Sequence, residues 1–533
     1  MTEDGWLVLP LAHLGVLLRA QVARVSQAGL HRFSGLVQQR TPQGWRQVDS
    51  VTLAGMVGAE LEGRGGAANP EFVGQVARSR DTVGFLLLCR PTTSAPRLAD
   101  PPINRYVASE QSLVYGHPLH PTPKWQGDDL DSWSAYAPEL HRTVRLHWLA
   151  VPNEQTAQDS VDGRGFDAHA VASGPPHVAD VPEGYSALPV HPGQWKLITS
   201  GLVAPRVAAA VADGTFVDLG PGGPVTLPTA SVRTLYVPSV DLFVKPSLHV
   251  RITNCVRKNA WYELRGAVLL TRKLAPIAAR YAAELGGGFA LMPEPAYRTV
   301  DPARWGVEAA EALGVIVRSG VRPHLGPGET PLLAGALASG DGEHGVAALL
   351  PGHDPVHWWT RYVRLLVPGV LRLWHEHGVV VEPHLQNVVT VVDPTGLPVR
   401  QLIRDMEGVK LLAERHAGYL DSLPPDIAVN LGYQAERAWD RLSYCLFVNH
   451  LATLAGAIAD AVPGIEPELW QVVRGVVTET AHELGGSPFV DRVLAGAPLP
   501  MKTSMLLRWS RQADRQVEYV GMTNPLGATV PAP

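Results

Sequence analysis

Three cations stand out in a chain poor in charge, each close to a hydroxyl: Ser231-Val-Arg233-Thr, Phe243-Val-Lys245-Pro, and Ile252-Thr253-Asn-Cys-Val-Arg257. Guanidinium groups bind carboxylate or phosphate in a fork and a lysine acts as a point charge, so such a group without neighbouring acids reads as a receptor for a polyanion. If Leu242–Ile252 is one strand, its period of two puts Lys245, Ser247, His249 and Arg251 on one face and Val244, Leu248, Val250 and Ile252 on the other. Ser231 and Arg233 share a face of the preceding strand. In a hairpin, Arg233 and Lys245 converge only when the connection near Val237–Asp241 has an odd residue count or a bulge. Thr253 and Arg257, four apart, share a face if a helix follows the strand. A solvated basic strand face is the plain rival, and cations this isolated argue against it.

A second group is Val381-Glu382-Pro-His384-Leu-Gln-Asn387, followed across two expected strands, Val388–Val392 and Val399–Ile403, by Arg404-Asp405-Met-Glu407-Gly408. A hairpin around Asp393-Pro-Thr-Gly396 can fold the acids back onto the first segment. Carboxylates with an Asn carbonyl are the oxygen ligands Mg²⁺ takes beside nucleotide phosphates, so these residues point to a nucleotide with Mg²⁺. A polar turn with a surface salt bridge is the alternative. Kinase-like phosphotransferases share the general plan. Here, however, Glu382 and His384 stand where a catalytic-loop Asp is needed, and no G-x-G-x-x-G precedes Lys245. The loop Gly116-His-Pro-Leu-His120-Pro-Thr-Pro-Lys124 is stiffened by three prolines and could present Lys124 and its imidazoles to an anion. An ordinary proline-rich surface loop accounts for it equally well. His191-Pro-Gly-Gln-Trp195 is weaker, since a capped turn with a packed Trp explains it.

The elements that must position these residues divide by texture. Residues 1–100 mix apolar helical patterning with a Gly-rich break, and the Arg97–Pro102 stretch closes them. Short β-type runs, Thr143–Val151, Ser231–Val237 and Leu242–Ile252, separated by loops such as Gly220-Pro-Gly-Gly-Pro224, make the middle sheet-rich. Pro355–His377 reads as a helix kinked at Pro368 and stopped by Gly378, and the chain from Val409 to about Arg515 reads as mostly helical. At 533 residues the chain has room for two to four domains. A net charge of −5 disfavours bulk nucleic-acid binding, and 46% hydrophobic residues exclude disorder as the main state. Only seven of the 45 basic residues are lysine. Cys89, Cys255 and Cys445 lie far apart without ligand spacing, so no disulfide framework, zinc site or iron–sulfur cluster is implied. The acidic start and the lack of an apolar run of about 18–20 residues lead to the expectation of a soluble, cytoplasmic protein with no membrane contact.

Taken in order, these segments resemble the NRPS-independent siderophore synthetases of the IucA/IucC (aerobactin synthetase) family. The resemblance runs from about Glu110 to Arg508. It rests on Gly116-His-Pro-x-His-Pro-x-x-Lys124, Tyr136-Ala-Pro-Glu139, His191-Pro-x-Gln194, Ser231-x-Arg233-Thr, Lys245, Ile252-Thr253-x-x-x-Arg257, Glu382-x-His384-x-x-Asn387, Arg404-Asp405-x-Glu407-Gly408, and Lys502 before Leu506 and Arg508. The sequence departs from the family at Trp125-Gln-Gly after Lys124 and at Gly193, where a Trp is usual.

The resemblance implies an α+β fold shaped as a cupped hand: a thumb-like lobe over 1–139, sheet-rich fingers over 140–318 and a largely helical palm over 319–533, generally dimeric. It implies an ATP- and Mg²⁺-dependent ligase that adenylates a carboxylate of citrate or a related polycarboxylate and condenses it with an amine or polyamine-type partner. Ser231, Arg233, Lys245, Thr253, Arg257, His384 and Asn387 would hold the nucleotide, with Lys245, Arg257 and His384 as catalytic groups. His120, Lys124 and Arg257 would meet substrate carboxylates, and Glu382 and Asp405 the metal. A kinase-like phosphotransferase and a non-catalytic polycarboxylate- or ferric-complex-binding protein are the alternatives. The reductase label sometimes attached to the C-terminal part of this family is not expected to apply, since nothing beyond Cys445 could ligate a cluster.

Overall fold

The computed structural model describes residues 5–91, 101–127, 129–170, 181–253, 255–339, 344–512 and 518–527. Residues 97–100 of the expected Arg97–Pro102 boundary, and Asn254 of the third cation motif, lie outside that set. The fold is a mixed α/β structure built on two sheets that meet at the candidate site. The larger is antiparallel, with spatial order Thr156–Ser160, Ala296–Val300, Val315–Ser319, Leu242–Pro246, Leu235–Val237, Val217–Pro228, Val144–Pro152 and Tyr185–Val190. The smaller has the order Phe289–Leu291, Pro398–Ile403, Val388–Val392 and Thr330–Leu333, with Phe289–Leu291 parallel to its neighbour. The chain crosses from one sheet to the other between Leu291 and Ala296, and the fully buried Glu294 lies on that crossing.

Several expected elements form as read. The hairpin pairs Val388 with Ile403 and so returns Arg404 to Asn387, whose carbonyl accepts from the Arg404 amide at 2.9 Å. The helix spans Pro355–His377, with the Asp354 side chain accepting from the His357 amide at its start and Gly378 at φ +60 at its end. Pro368 lies inside this helix without ending it.

Others differ. The first 47 residues hold a four-stranded antiparallel sheet, Trp6–Leu11, Val16–Arg24, Arg32–Thr41 and Gly44–Gln47, where helical patterning was expected. Pro10 suits an edge strand better than a helix interior, and Gly15 at φ +63 closes the first turn. The expected strand Leu242–Ile252 ends at Pro246, and Ser231–Val237 is a strand only from Leu235. No helix begins at Thr253. A short hairpin, Arg251–Ile252 with Cys255–Val256, turns there instead. The helical stretch 435–461 is long and apolar enough to cross a membrane by length and composition, and 94% of its most apolar window is buried inside the protein. It is apolar on all sides because it is a core helix.

Gly369 sits in the long helix against the ring of Phe289, and a Cβ there would come within 2.5 Å of that ring. Alanine gains about 1 kcal/mol of helix propensity, whereas overpacking costs about 1–3 kcal/mol. Gly369→Ala should therefore lower the urea midpoint, and an unchanged or raised midpoint would show that Phe289 has room to yield.

Candidate active site

The cleft between the two sheets is lined by Thr229, Ser231, Arg233, Thr234, Lys245, Arg257, Arg318, Gln386, Asn387, Arg404, Asp405 and Glu407. Arg233 and Lys245 meet here by a route other than the one the strand pattern suggested. The strands pair Leu242 with Val237 and Val244 with Leu235, across a four-residue connection with no bulge. In that register a continued strand would send Arg233 to the face opposite Lys245. The chain instead leaves the strand at Thr234 and turns, with Val232 at φ +66 and the Val232 amide on the Thr229 carbonyl at 2.8 Å. That turn aims Arg233 into the cleft. Asn259 fixes the result: its Oδ1 accepts from Arg233 Nη1 at 2.5 Å, and its Nδ2 donates to the Lys245 carbonyl at 2.9 Å and the Gly314 carbonyl at 2.8 Å.

The cations are surrounded by acids, contrary to the sequence expectation. Lys245 Nζ lies 2.5 Å from Asp405, 2.7 Å from Glu407 and 3.9 Å from Glu294. Arg233 reaches Glu407 at 3.1 Å, and Arg318 bridges Glu294 at 2.6 Å and Asp405 at 3.0 Å. Burial pulls the Lys245 ammonium towards neutrality, but Asp405, Glu407 and Glu294 outweigh it and raise its pKa above the ordinary lysine value. Burial opposes ionisation of Asp405 and Glu407 too. Lys245 and Arg318 nevertheless hold Asp405 far below the usual carboxylate range, and Lys245 and Arg233 lower Glu407. Arg318 and Glu294 were not anticipated. Arg318 could have been found, because in Val315-Ile-Val-Arg-Ser319 it is a lone charge in an apolar strand, cross-strand from Phe243 and diagonal to Lys245.

Asp405 adopts φ +82, ψ +76, a conformation costing about 1–3 kcal/mol for a non-glycine residue. Its neighbour Arg404 anchors it through a buried ion pair with Glu110, which also accepts from the Ala230 amide at 3.1 Å and so ties the 229–234 turn to the same anchor. Thr253, at φ +58, is a third strained non-glycine position; its hydroxyl accepts from Arg257 Nη2 at 3.0 Å across the short hairpin. Thr253 and Arg257 thus meet as expected, through a hairpin and not along a helix.

On the C-terminal side Asn387 is buried and lines the cleft, and among the described residues its Nδ2 has no hydrogen-bond partner, which leaves a buried donor unused. His384 is half-buried. Burial lowers its pKa, and Glu382 and Asp405 offset this in part. Glu382 does not join Asp405 in the cleft lining: Arg441 holds it at 2.6 Å, and it lies beneath Gly408, where a Cβ would collide with its carboxylate. Among the described residues, no three His, Cys, Asp or Glu side chains are arranged to hold a metal ion by themselves. Asp405 and Glu407 can supply one or two carboxylates to a cation that also bears phosphate and water, which is the usual manner of Mg²⁺.

The 382–387 loop is held by a π-helix, Tyr444–Ala452. Asn449 Oδ1 accepts from the Leu385 amide at 3.1 Å, and the His450 ring Nδ1 meets the Pro383 carbonyl at 2.7 Å. A carbonyl only accepts, so Nδ1 carries the proton and Nε2 accepts from the Tyr362 hydroxyl at 2.6 Å. The proline-rich loop joins the same assembly. His117 approaches Asn449 at 3.4 Å, and Gln126 Nε2 donates to Thr122 Oγ1 and to the Thr253 carbonyl. His120 Nδ1 accepts from the Thr122 amide at 3.0 Å. Lys124 is not presented to the cleft as the sequence suggested, because its ammonium is buried in an ion pair with Glu139.

Residues 105–339 match the IucA/IucC family, and residues 356–517 match a family described as ferric iron reductase FhuF-like transporter. The latter stretch contains a single cysteine, Cys445, buried in the π-helix with its thiol pushed up to about 12 by burial. The chain is 28% identical to L-2,3-diaminopropanoate–citrate ligase of Staphylococcus aureus over 79% of its length and 75% of that protein. It is 27% identical to aerobactin synthase of Escherichia coli over 69% and 67%. Its fold matches aerobactin synthetase IucA of a hypervirulent Klebsiella pneumoniae with a TM-score of 0.85 at 22% identity, covering 99% of this chain and 97% of that one.

Two buried imidazoles give the scaffold an acid sensitivity. Burial lowers His191 to about 3 and His450 to about 4. The unfolded chain therefore takes up protons that the folded one refuses, and stability that is full above about pH 6.5 is lost as pH falls towards 4. Between pH 6.5 and 5 the loss is about 2 kcal/mol for each imidazole. Urea melts should show it, and His450→Gln should reduce it; an equal loss in that variant would remove His450 as a source.

Proposed function

We propose, from the match of residues 105–339 to the IucA/IucC family and from relatives that include an L-2,3-diaminopropanoate–citrate ligase and an aerobactin synthase, that the chain is an ATP-dependent siderophore synthetase. It adenylates a carboxylate of citrate or a related polycarboxylate and transfers the acyl group to an amine or hydroxylamine-bearing amine. The observation that carries this reading is the convergence of Ser231, Arg233, Lys245, Arg257 and Asn387, from segments up to 156 residues apart, on one cleft. The aerobactin synthetase of the same fold was solved with ATP bound, which supports the nucleotide assignment.

In the first half-reaction the substrate carboxylate attacks the α-phosphorus, the bond to the bridging oxygen breaks and pyrophosphate leaves. Two anions must approach each other, and fixed donors worth a few kcal/mol each offset that repulsion. Arg233 and Lys245 suit the phosphates, with Ser231 and the unpartnered Asn387 amide as neutral donors. Arg257, half-buried on the hairpin beside Thr253, suits the junction of α-phosphate and carboxylate. Mg²⁺ would supply positive charge to the phosphates, and Asp405 and Glu407, both in the cleft lining, are the carboxylates that would hold it. In the second half-reaction the amine nitrogen attacks the acyl carbon, AMP departs, and the nitrogen sheds a proton. His384, biased towards neutrality by burial, is an imidazole able to take it.

Product analysis with citrate, hydroxylamine and Mg²⁺ tests the reading. AMP and pyrophosphate are expected; ADP would establish a phosphotransferase, and carboxylate binding without turnover a binding protein. Arg257→Ala should cut pyrophosphate release by at least about 100-fold at an unchanged melting temperature. Full activity would exclude Arg257 from the reacting centre.

A further inference from the structure

Glu407 holds the two cations that a triphosphate would need. Its Oε2 lies 2.7 Å from Lys245 Nζ and 3.1 Å from Arg233 Nη2, so this carboxylate oxygen occupies the position from which a phosphate oxygen would engage both groups. The residue's backbone is pinned: its carbonyl accepts from Lys410 Nζ at 2.9 Å, within a 3₁₀ turn over Met406–Gly408. The side chain, by contrast, is about one-fifth exposed and lines the cleft, so it can swing while the backbone stays.

The charge balance decides what an incoming nucleotide meets. Arg233, Lys245 and Arg318 face Glu294, Asp405 and Glu407, three against three. Glu294 is fully buried on Arg318 and cannot move aside. A free triphosphate must evict Glu407 from Lys245 and Arg233, yet the evicted carboxylate stays in the same cleft, beside Asp405 and near Glu263. The half-buried Glu263 already has its pKa raised, by desolvation first and then by Glu407. A divalent cation removes the conflict, because the carboxylates released by Lys245 and Arg233 gain a positive partner as the phosphates take their place. Two anion–cation sets exchange partners, and the cleft takes up two fewer negative charges than it would with the free triphosphate.

Resting on the reading of this cleft as a nucleotide site, we propose that Glu407 is a specificity-determining residue: it competes with the phosphates for Lys245 and Arg233, and thereby selects the magnesium complex of the nucleotide over the free nucleotide. Glu407→Gln keeps the shape of the side chain and removes its charge. The test is calorimetric binding of a non-hydrolysable ATP analogue, with Mg²⁺ and with EDTA, to the full-length protein and to this variant. The wild type should bind at least about tenfold more tightly with Mg²⁺. The variant should bind the metal-free analogue about tenfold more tightly than the wild type does, which shrinks the magnesium effect. Glu436→Gln neutralises an exposed acid paired with Arg492, and should leave both affinities as in the wild type; a matching gain there would reduce the effect to net charge and overturn the inference. It is likewise overturned if Glu407→Gln binds metal-free analogue no better than the wild type. A wild type that binds no nucleotide in either condition would sink the nucleotide reading itself, and this inference with it.

Discussion

An ammonium group taken out of water is tolerable only when carboxylates meet it, since an unpaired buried charge costs several kcal/mol. Lys245 is buried within a strand of the larger sheet, and its nearest carboxylates, Asp405 and Glu407, come from a segment about 160 residues further along the chain. Its pairing therefore fixes where one wall of the cleft stands relative to the other. Arg318 and Glu294 extend the arrangement sideways across the sheet, so the cluster is a continuous chain of opposite charges and not one isolated bridge. Such a cluster is stable while every member is matched, and any anion entering it must exchange partners with one already there.

Strain accompanies this constraint. Val232, Thr253 and Asp405 are three of the seven non-glycine residues with positive φ among those described, and all three lie at or beside the cleft. A β-branched residue in that region is unfavourable, so it persists only where the surroundings over-determine it. The supports are visible: Asn259 clamps Arg233 to the Lys245 strand, Glu110 binds both Arg404 and the Ala230 amide, and the π-helix carries Asn449 and His450 to the loop that bears His384. π-Helices are uncommon and recur at functional sites. Here the wider turn presents two consecutive side chains to the same backbone segment.

What the sequence makes legible follows from the range of the physics. The hairpin that returns Arg404 to Asn387 and the helix from Pro355 to Gly378 are encoded locally, by alternation, capping and turn residues, and they form as read. Ser231, Arg233, Lys245, Arg257, Asn387 and Asp405 stand out as isolated polar residues, and they do gather. Their route of convergence is not legible, because it depends on positive-φ turns at Val232 and Thr253 that propensity disfavours. Nor are the counter-charges. Nothing local marks Glu294 as buried, assigns Glu382 to Arg441, or tells that Lys124 is already matched by Glu139. Each of those pairs residues separated along the chain and shows only once the chain has folded.

The neutralisation of Lys124 changes the part played by the proline-rich loop. With its ammonium buried against Glu139, the loop brings structure, not free charge, to the site: Gln126 supports the Thr253 carbonyl, and His117 reaches the π-helix through Asn449. It touches both the hairpin that carries Arg257 and the π-helix that holds the 382–387 loop. On the proposed reaction, the substrate carboxylate must approach the α-phosphorus opposite the departing pyrophosphate, and a loop stiffened by three prolines loses little entropy in holding its shape beside that site.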